Sequence, residues 1–206
     1  MDVDRPATPW AGIRLVLASG SPARRQLLRR AGFDPEVSVS HVPEDVDVTD
    51  TAQAVVTLAR RKGVEVATRW PGAVVVACDS MLDVDGQALG KPASEAVARQ
   101  YWRRLAGSSA VLCTGHWLAD TRSGRSTEGL ARTTVRFGTP TEAEITAYVS
   151  TGEPLELAGA FSIDGYGAPF VEGIDGDPSN VLGLSLPLFR RMLARLGLAV
   201  TDLWVP

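Results

Sequence analysis

Only two of the 21 basic residues in this 206-residue chain are lysines, Lys62 and Lys91; all the others are arginines. Cysteine and histidine are equally scarce, at two each. Cys78 and Cys113 have no CxxC or zinc-like spacing. Both lie in apolar runs of β character, so buried structural thiols in a reducing, cytoplasmic setting are expected. His41 and His116 have no serine or cysteine partner at a recognisable spacing, which leaves no basis for a hydrolase triad. No apolar run approaches the roughly 20 residues of a membrane helix, so no membrane partner is expected. Residues 1–12 carry Asp2, Asp4, Pro6 and Pro9 and lack a basic region followed by an apolar stretch. They read as a frayed lead-in rather than a signal peptide. An excess of positive charge is also missing: the net charge is -3. Bulk electrostatic binding to nucleic acid is therefore disfavoured.

What is present is ordinary soluble material, 45% hydrophobic and 22% charged. That suffices for the core of one α/β domain, expected over residues 13–206. Residues 13–18 and 36–40 read as strands. Residues 73–78, AVVVAC, form the most strand-like run; a continuously apolar strand is usually buried on both faces. A hairpin over residues 81–89, turning at Asp85-Gly86, is expected to follow. Residues 111–119 and 127–137 read as two longer antiparallel strands. Helices are expected over residues 23–31, 51–68, 94–105 and 186–196, and after Thr141, where Glu144 completes a capping box. The expected fold is mixed α/β, a twisted sheet with flanking helices.

Chemistry-bearing residues gather at three places. Residues 13–18 run into Ser19-Gly20-Ser21-Pro22-Ala23-Arg24-Arg25 and a helix. Helix-start N–H groups, hydroxyls and guanidinium groups together suit a phosphate. The plain alternative is a capped helix with surface arginines. Asp79 directly follows the apolar strand, where a carboxylate can hold a metal or activate water; a turn is the alternative. Gly90-Lys91-Pro92 is not a Walker loop, because the glycine spacing from Gly86 is one residue short and Pro92 replaces the required hydroxyl. Lys91 remains a candidate point charge toward phosphates, a role that the flat arginine fork does not duplicate.

These segments carry a resemblance. SGSPARRQLL resembles the N-terminal signature of the Maf family. VVACDSMLDVDGQALGKP resembles its central signature, and TGEPLELAGAFSIDGYGAPFVEGIDGDPSNVLGLSLPLFRRML its long C-terminal one. The likeness covers nearly the whole chain, residues 13–196. It implies an elongated fold related to the inosine triphosphatases, with a cleft between two lobes. It also implies hydrolysis of a nucleoside triphosphate to the monophosphate and pyrophosphate with Mg²⁺ or Mn²⁺. Carried over by motif, Ser19, Ser21 and Arg24 would bind phosphate. Glu44 would be a metal or water ligand, and Asp79 the proton acceptor and second metal ligand. Lys62, in LARRKG, and Lys91, in GKP, would complete the catalytic set.

At the specificity positions the chain has Ala23, Ser80 and Asp164, unlike the branch suited to dTTP and UTP, whose substrates stay as the alternative. An acidic residue at 164 matches the branch linked to 7-methyl-GTP. Its carboxylate could accept from the two adjacent donors of guanine; the alternative is a solvated loop residue. Residues 159–167 are expected to shape the base pocket, with Phe161 and Tyr166 either stacking there or packing in the core. Residues 175–180 read as a turn that could close the cleft. The likeness further suggests a homodimer. The family's link to septum formation leaves a non-catalytic nucleotide-binding regulator of division as the alternative from another class.

Overall fold

The computed structural model describes residues 12–46 and 50–205. The expected lead-in, except Gly12, and part of the acidic loop before Asp50 lie outside the described residues.

One seven-stranded sheet organises the chain. Its strands are β1 (Arg14–Leu17), β2 (Glu36–Val37), β3 (Ala73–Val84), β4 (Gln87–Leu89), β5 (Ser109–Asp120), β6 (Arg125–Phe137) and β7 (Val171–Asp175). The order is β2-β1-β3-β5-β6-β7, with β4 also pairing β3. β1 lies parallel to β2 and β3, and every other pairing is antiparallel. The helices are α1 (Pro22–Arg30), α2 (Thr51–Ala67), α3 (Glu95–Leu105), α4 (Glu142–Ser150), the single turn α5 (Pro178–Val181) and α6 (Leu186–Arg195). The mixed α/β architecture with flanking helices is therefore the one expected.

Helix starts are set locally. Ser21, Asp50, Ser94, Thr141 and Ser185 each accept a hydrogen bond from a backbone N–H three residues on, and Thr141 and Glu144 form the full capping box. Proline follows the cap directly in α1, where its missing N–H costs nothing.

Two expectations need correction. The expected strand 73–78 and the hairpin after it are one element: β3 runs unbroken for twelve residues through Asp79 to Val84. Asp79 and Ser80 interrupt the apolar run without ending the strand, because β5 pairs with both positions. The turn at Asp85-Gly86 does form, with positive φ at both residues. The strand expected over residues 36–40 shrinks to Glu36–Val37, since β1 offers parallel partners only at Val16 and Leu17.

The long strands carry apolar packing at both ends. On one face Val74, Val76 and Leu118 pack with Leu28 of α1 and Phe189, Met192 and Leu193 of α6. On the opposite face Val75, Ala77 and Trp117 lie under Ala59 and Val66 of α2. At the far end Leu82, Leu112, Val135 and Phe137 meet Trp102 of α3 and Tyr148 and Val149 of α4. Trp102 is fully buried, donates its indole N–H to Ala160 O at 2.8 Å, and packs edge-on against Phe137, Tyr148 and Phe170. Truncating such a residue to alanine costs about 3–5 kcal/mol.

Helix α2 sits unusually close to the sheet. A Cβ on Gly115 would lie 2.2 Å from the backbone oxygen of Val55, and one on Gly63 would lie 2.1 Å from the Trp117 ring. The absence of side chains at these two positions sets the height of α2, and hence of Lys62, above β3.

Candidate active site

β3 has different neighbours along its two edges. β5 pairs with it from Val74 to Asp83. On the other edge β1 reaches only to Val76, with one further bond from Ala18 N, and β4 begins at Leu82. Between them, among the described residues, the middle of β3 carries no strand on that edge. β1 ends at this gap and releases Ser19, Gly20 and Ser21; β4 ends there from the opposite direction and releases Gly90 and Lys91. Asp79 and Ser80 form the stretch of β3 between them. The rule that ligands gather at strand ends thus applies to β1 and β4, while Asp79 is a mid-strand residue left without a strand neighbour on one edge by the gap.

Strand alternation sends Asp79 and Ser80 to opposite faces. Asp79 turns toward α2, where Lys62 Nζ lies 2.6 Å from Asp79 Oδ1. Both side chains are nearly buried, at 12% and 11% exposure. The same ammonium lies 2.7 Å from Glu44 Oε1, and the Glu44 side chain is 72% exposed. Glu44 holds its pKa below the usual carboxylate range, chiefly through the hydrogen bond from Lys62, against the opposing effect of partial burial. The charges of Lys62, Lys91 and Arg24 add to this lowering, so all three cations act on one carboxylate.

Ser80 turns to the other face, where its hydroxyl bonds Thr114 Oγ1 and accepts from Arg24 Nη2, each at 3.0 Å. Arg24 also donates to Ser19 Oγ at 3.0 Å and to Gly183 O at 2.7 Å. Three of its five N–H donors are thereby used inside the protein. Arg24 is a brace as well as a charge: it ties the β1 exit, β3 and the loop before α6. Ser19 and Ser21 serve the same loop, since Ser19 Oγ accepts from Ser21 N at 3.2 Å and Ser21 Oγ accepts from Arg24 N at 3.3 Å. Ala23 is half-buried in the first turn of α1.

The remaining expected residues lie further out. Lys91 is exposed and pairs with Glu156 at 3.3 Å. Asp164 is exposed, as is Tyr166, at 70%. Phe161 is buried against Phe137 with ring centroids 5.1 Å apart, which makes it core. Residues 175–180 hold the end of β7 and the single turn of α5, capped by Asp177.

Two residues that support the site were not read as such from the sequence, where His116 enters only as a triad candidate. His116 is fully buried; its Nε2 accepts from Ser185 N at 2.9 Å and its Nδ1 contacts Thr114 O at 3.1 Å. Burial lowers its pKa to about 4. It is a neutral strut between β5 and the start of α6, and its partner 69 residues away leaves no local signal. Glu153 accepts four hydrogen bonds, from Tyr148, Ser162, Tyr166 and Gly167. Both cysteines are buried and unpaired, and burial pushes the Cys78 thiol up to about 12.

The gap in the sheet thus collects two carboxylates, the lysine between them and a braced arginine around one strand, with Lys91 further out. Residues 14–196 match the family described as Maf-like protein. The chain belongs to that family. A nucleoside triphosphate pyrophosphatase of Streptomyces coelicolor is 54% identical over 202 residues, covering 97% of this Maf-like chain and 98% of that protein. Proteins of the same name from Salinispora tropica and Nocardia farcinica are 52% and 50% identical, each covering at least 88% of both chains. A solved HAM1 protein from Coxiella burnetii aligns at 17% identity with a TM-score of 0.34, over 72% of this chain and 86% of that one. That likeness is too slight to argue from.

Proposed function

We propose that this Maf-like chain is a hydrolase that cuts a nucleoside triphosphate between the α and β phosphates, releasing the monophosphate and pyrophosphate. Relatives about half identical over nearly their whole length carry the name nucleoside triphosphate pyrophosphatase. The observation that carries the reading is the shared ammonium: Lys62 bridges Asp79 and Glu44 beside the open edge of β3.

Glu44 and Asp79 are hard oxygen donors that converge on one cation, which fits Mg²⁺ or Mn²⁺ held by two carboxylates and completed by substrate phosphates and waters. Glu44 and Asp79 would hold such an ion; when bound it would lower the pKa of a water and neutralise phosphate charge. Among the described residues no group of three or more His, Cys, Asp or Glu gathers, so the substrate would have to supply part of the shell.

Asp79 orients the attacking water and takes its proton as the new O–P bond forms at the α phosphorus. The α–β bridging bond then breaks and pyrophosphate leaves with the electron pair. Lys62 holds Asp79 in place. Lys91, Arg24 and the N–H groups at the start of α1 meet the negative charge of the phosphate tail, so catalysis is mainly positioning and electrostatics. Asp164 is exposed on its loop; with the base bound beside it, its carboxylate would accept from the two adjacent donors of guanine and favour a base such as 7-methylguanine over uracil or thymine.

The test is a panel of nucleoside triphosphates with Mg²⁺ or Mn²⁺, assayed for pyrophosphate and orthophosphate separately. Pyrophosphate and a monophosphate in equal amounts support the reaction; orthophosphate alone overturns it. Faster turnover of UTP and dTTP than of 7-methyl-GTP would overturn the base preference.

A further inference from the structure

Glu153 opens the short 3₁₀ turn Glu153–Glu156 after α4, and its carboxylate is satisfied from four sides. Oε1 accepts from Tyr148 Oη at 2.8 Å, Ser162 Oγ at 2.7 Å and Gly167 N at 3.1 Å; Oε2 accepts from Tyr166 N at 2.9 Å. Ser162 Oγ in turn accepts from Gly165 N at 3.1 Å. Residues 162–167 are thus wrapped around one side chain. The wrap has no spare room, because a Cβ on Gly165 would stand 2.1 Å from Glu153 Oε2. Burial alone would raise the pKa of Glu153, but the hydrogen bonds outweigh it and hold it below the ordinary carboxylate value. The acceptor is therefore charged at neutral pH, and charge-assisted bonds are the stronger kind.

The same turn reaches the gap in the sheet. Glu156 pairs with Lys91, and Gly159 N donates to Gly90 O at 3.0 Å. Lys91 acts on Glu44, and Glu44 shares Lys62 with Asp79. The turn is thus joined by contact to Gly90 and Lys91 at the edge of the gap, and Lys91 is joined to Glu44 through charge alone. At the loop's tip Asp164 and Tyr166 stand exposed, one an acceptor and the other a large flat ring. A loop fixed so firmly, with side chains of that kind turned outward, is preorganised for a ligand.

We propose that Glu153 is a positioning residue that holds residues 162–167 as a preformed wall for the nucleobase, so that base discrimination depends on a carboxylate that does not touch the substrate. This rests on the pyrophosphatase reading and deepens it. In Glu153→Gln the amide nitrogen must face a donor whichever way it turns. Gly165→Ala disturbs the same wrap from the other side, and Ser162→Ala removes a single donor as a milder case.

The experiment measures kcat and KM for each nucleotide of the panel, together with amide hydrogen exchange at Tyr166 and Gly167. In Glu153→Gln and Gly165→Ala, KM for the preferred nucleotide should rise about tenfold with kcat within about twofold, the loss expected for a removed ground-state contact. The preference among bases should shrink, and exchange at Tyr166 and Gly167 should quicken. Ser162→Ala should show a smaller version of the same pattern. Faster exchange with unchanged KM and preference would overturn the role, as would unchanged exchange. A wild-type chain that releases pyrophosphate from no nucleotide would sink the reaction and this role together. A discriminating wild type whose variants discriminate equally well would sink this role alone.

Discussion

Lys62 and Asp79 meet at 2.6 Å with both side chains nearly buried, although one projects from a helix and the other from the middle of a strand. The pair exists because α2 lies almost on the backbone of β5.

Removing either member should have different consequences. Asp79→Asn leaves Lys62 paired with Glu44, so the fold should persist while pyrophosphate release falls by about 10²–10³-fold, the usual scale for one preorganised electrostatic group. Lys62→Ala strands the buried carboxylate of Asp79 and should cost on the order of 3 kcal/mol of stability besides activity. Comparing the two denaturation midpoints checks this; equal stabilities would contradict the pairing.

The height of α2 gives a second expectation. Gly63→Ala meets the nearly buried ring of Trp117 and should cost roughly 1–3 kcal/mol through overpacking. Gly115→Ala meets backbone at Val55, which has less freedom to yield. It should be the more damaging substitution in both thermal stability and turnover, because raising α2 pulls Lys62 away from Asp79. A Gly115→Ala protein with wild-type kcat would show that this spacing is not critical.

Arg24→Lys keeps the positive charge and loses the fork. A lysine cannot bond Ser19, Ser80 and Gly183 together, and each lost hydrogen bond is worth about 0.5–1.5 kcal/mol. The variant should unfold at lower denaturant and bind nucleotide more weakly. Should Lys at this position match Arg in both, the bracing function would be refuted and charge alone would suffice.

Acid should weaken the protein through His116. Its pKa lies near 4 in the folded chain against 6.5 ordinarily, chiefly through burial, with Arg24 adding to the lowering and Asp177 and the Thr114 carbonyl opposing it. Because the folded value is depressed, the contribution is intact above about pH 6.5 and is lost as pH falls through 4. The loss amounts to about 3 kcal/mol. Protonation also removes the acceptor that Ser185 N requires. Thermal scans from pH 7 to 4 should show this slope, and His116→Gln should flatten it.

Much of the helical framework was legible, and for a local reason. Ser21, Ser94 and Thr141 bond to backbone three residues on, and such caps are written within one turn of sequence. The hairpin at Asp85-Gly86 was equally local. The length of β3 was hidden, because its polar pair Asp79-Ser80 looks like a strand end until β5 is seen to pair through it. β7 was missed: its five residues, VEGID, show no clean alternation of burial. The candidate site residues were readable as types and by resemblance, but the gap that gathers them depends on where β1 and β4 stop. Bonds such as Arg24 to Gly183, spanning 159 positions, are likewise invisible in the sequence.

β3, β5 and β6 each run from one apolar cluster into the other. A bending motion between the halves would have to flex three hydrogen-bonded strands together, since no single linker joins them. The strand that carries Asp79 is therefore clamped at both ends, and the floor of the opening beside it is paired backbone rather than loop.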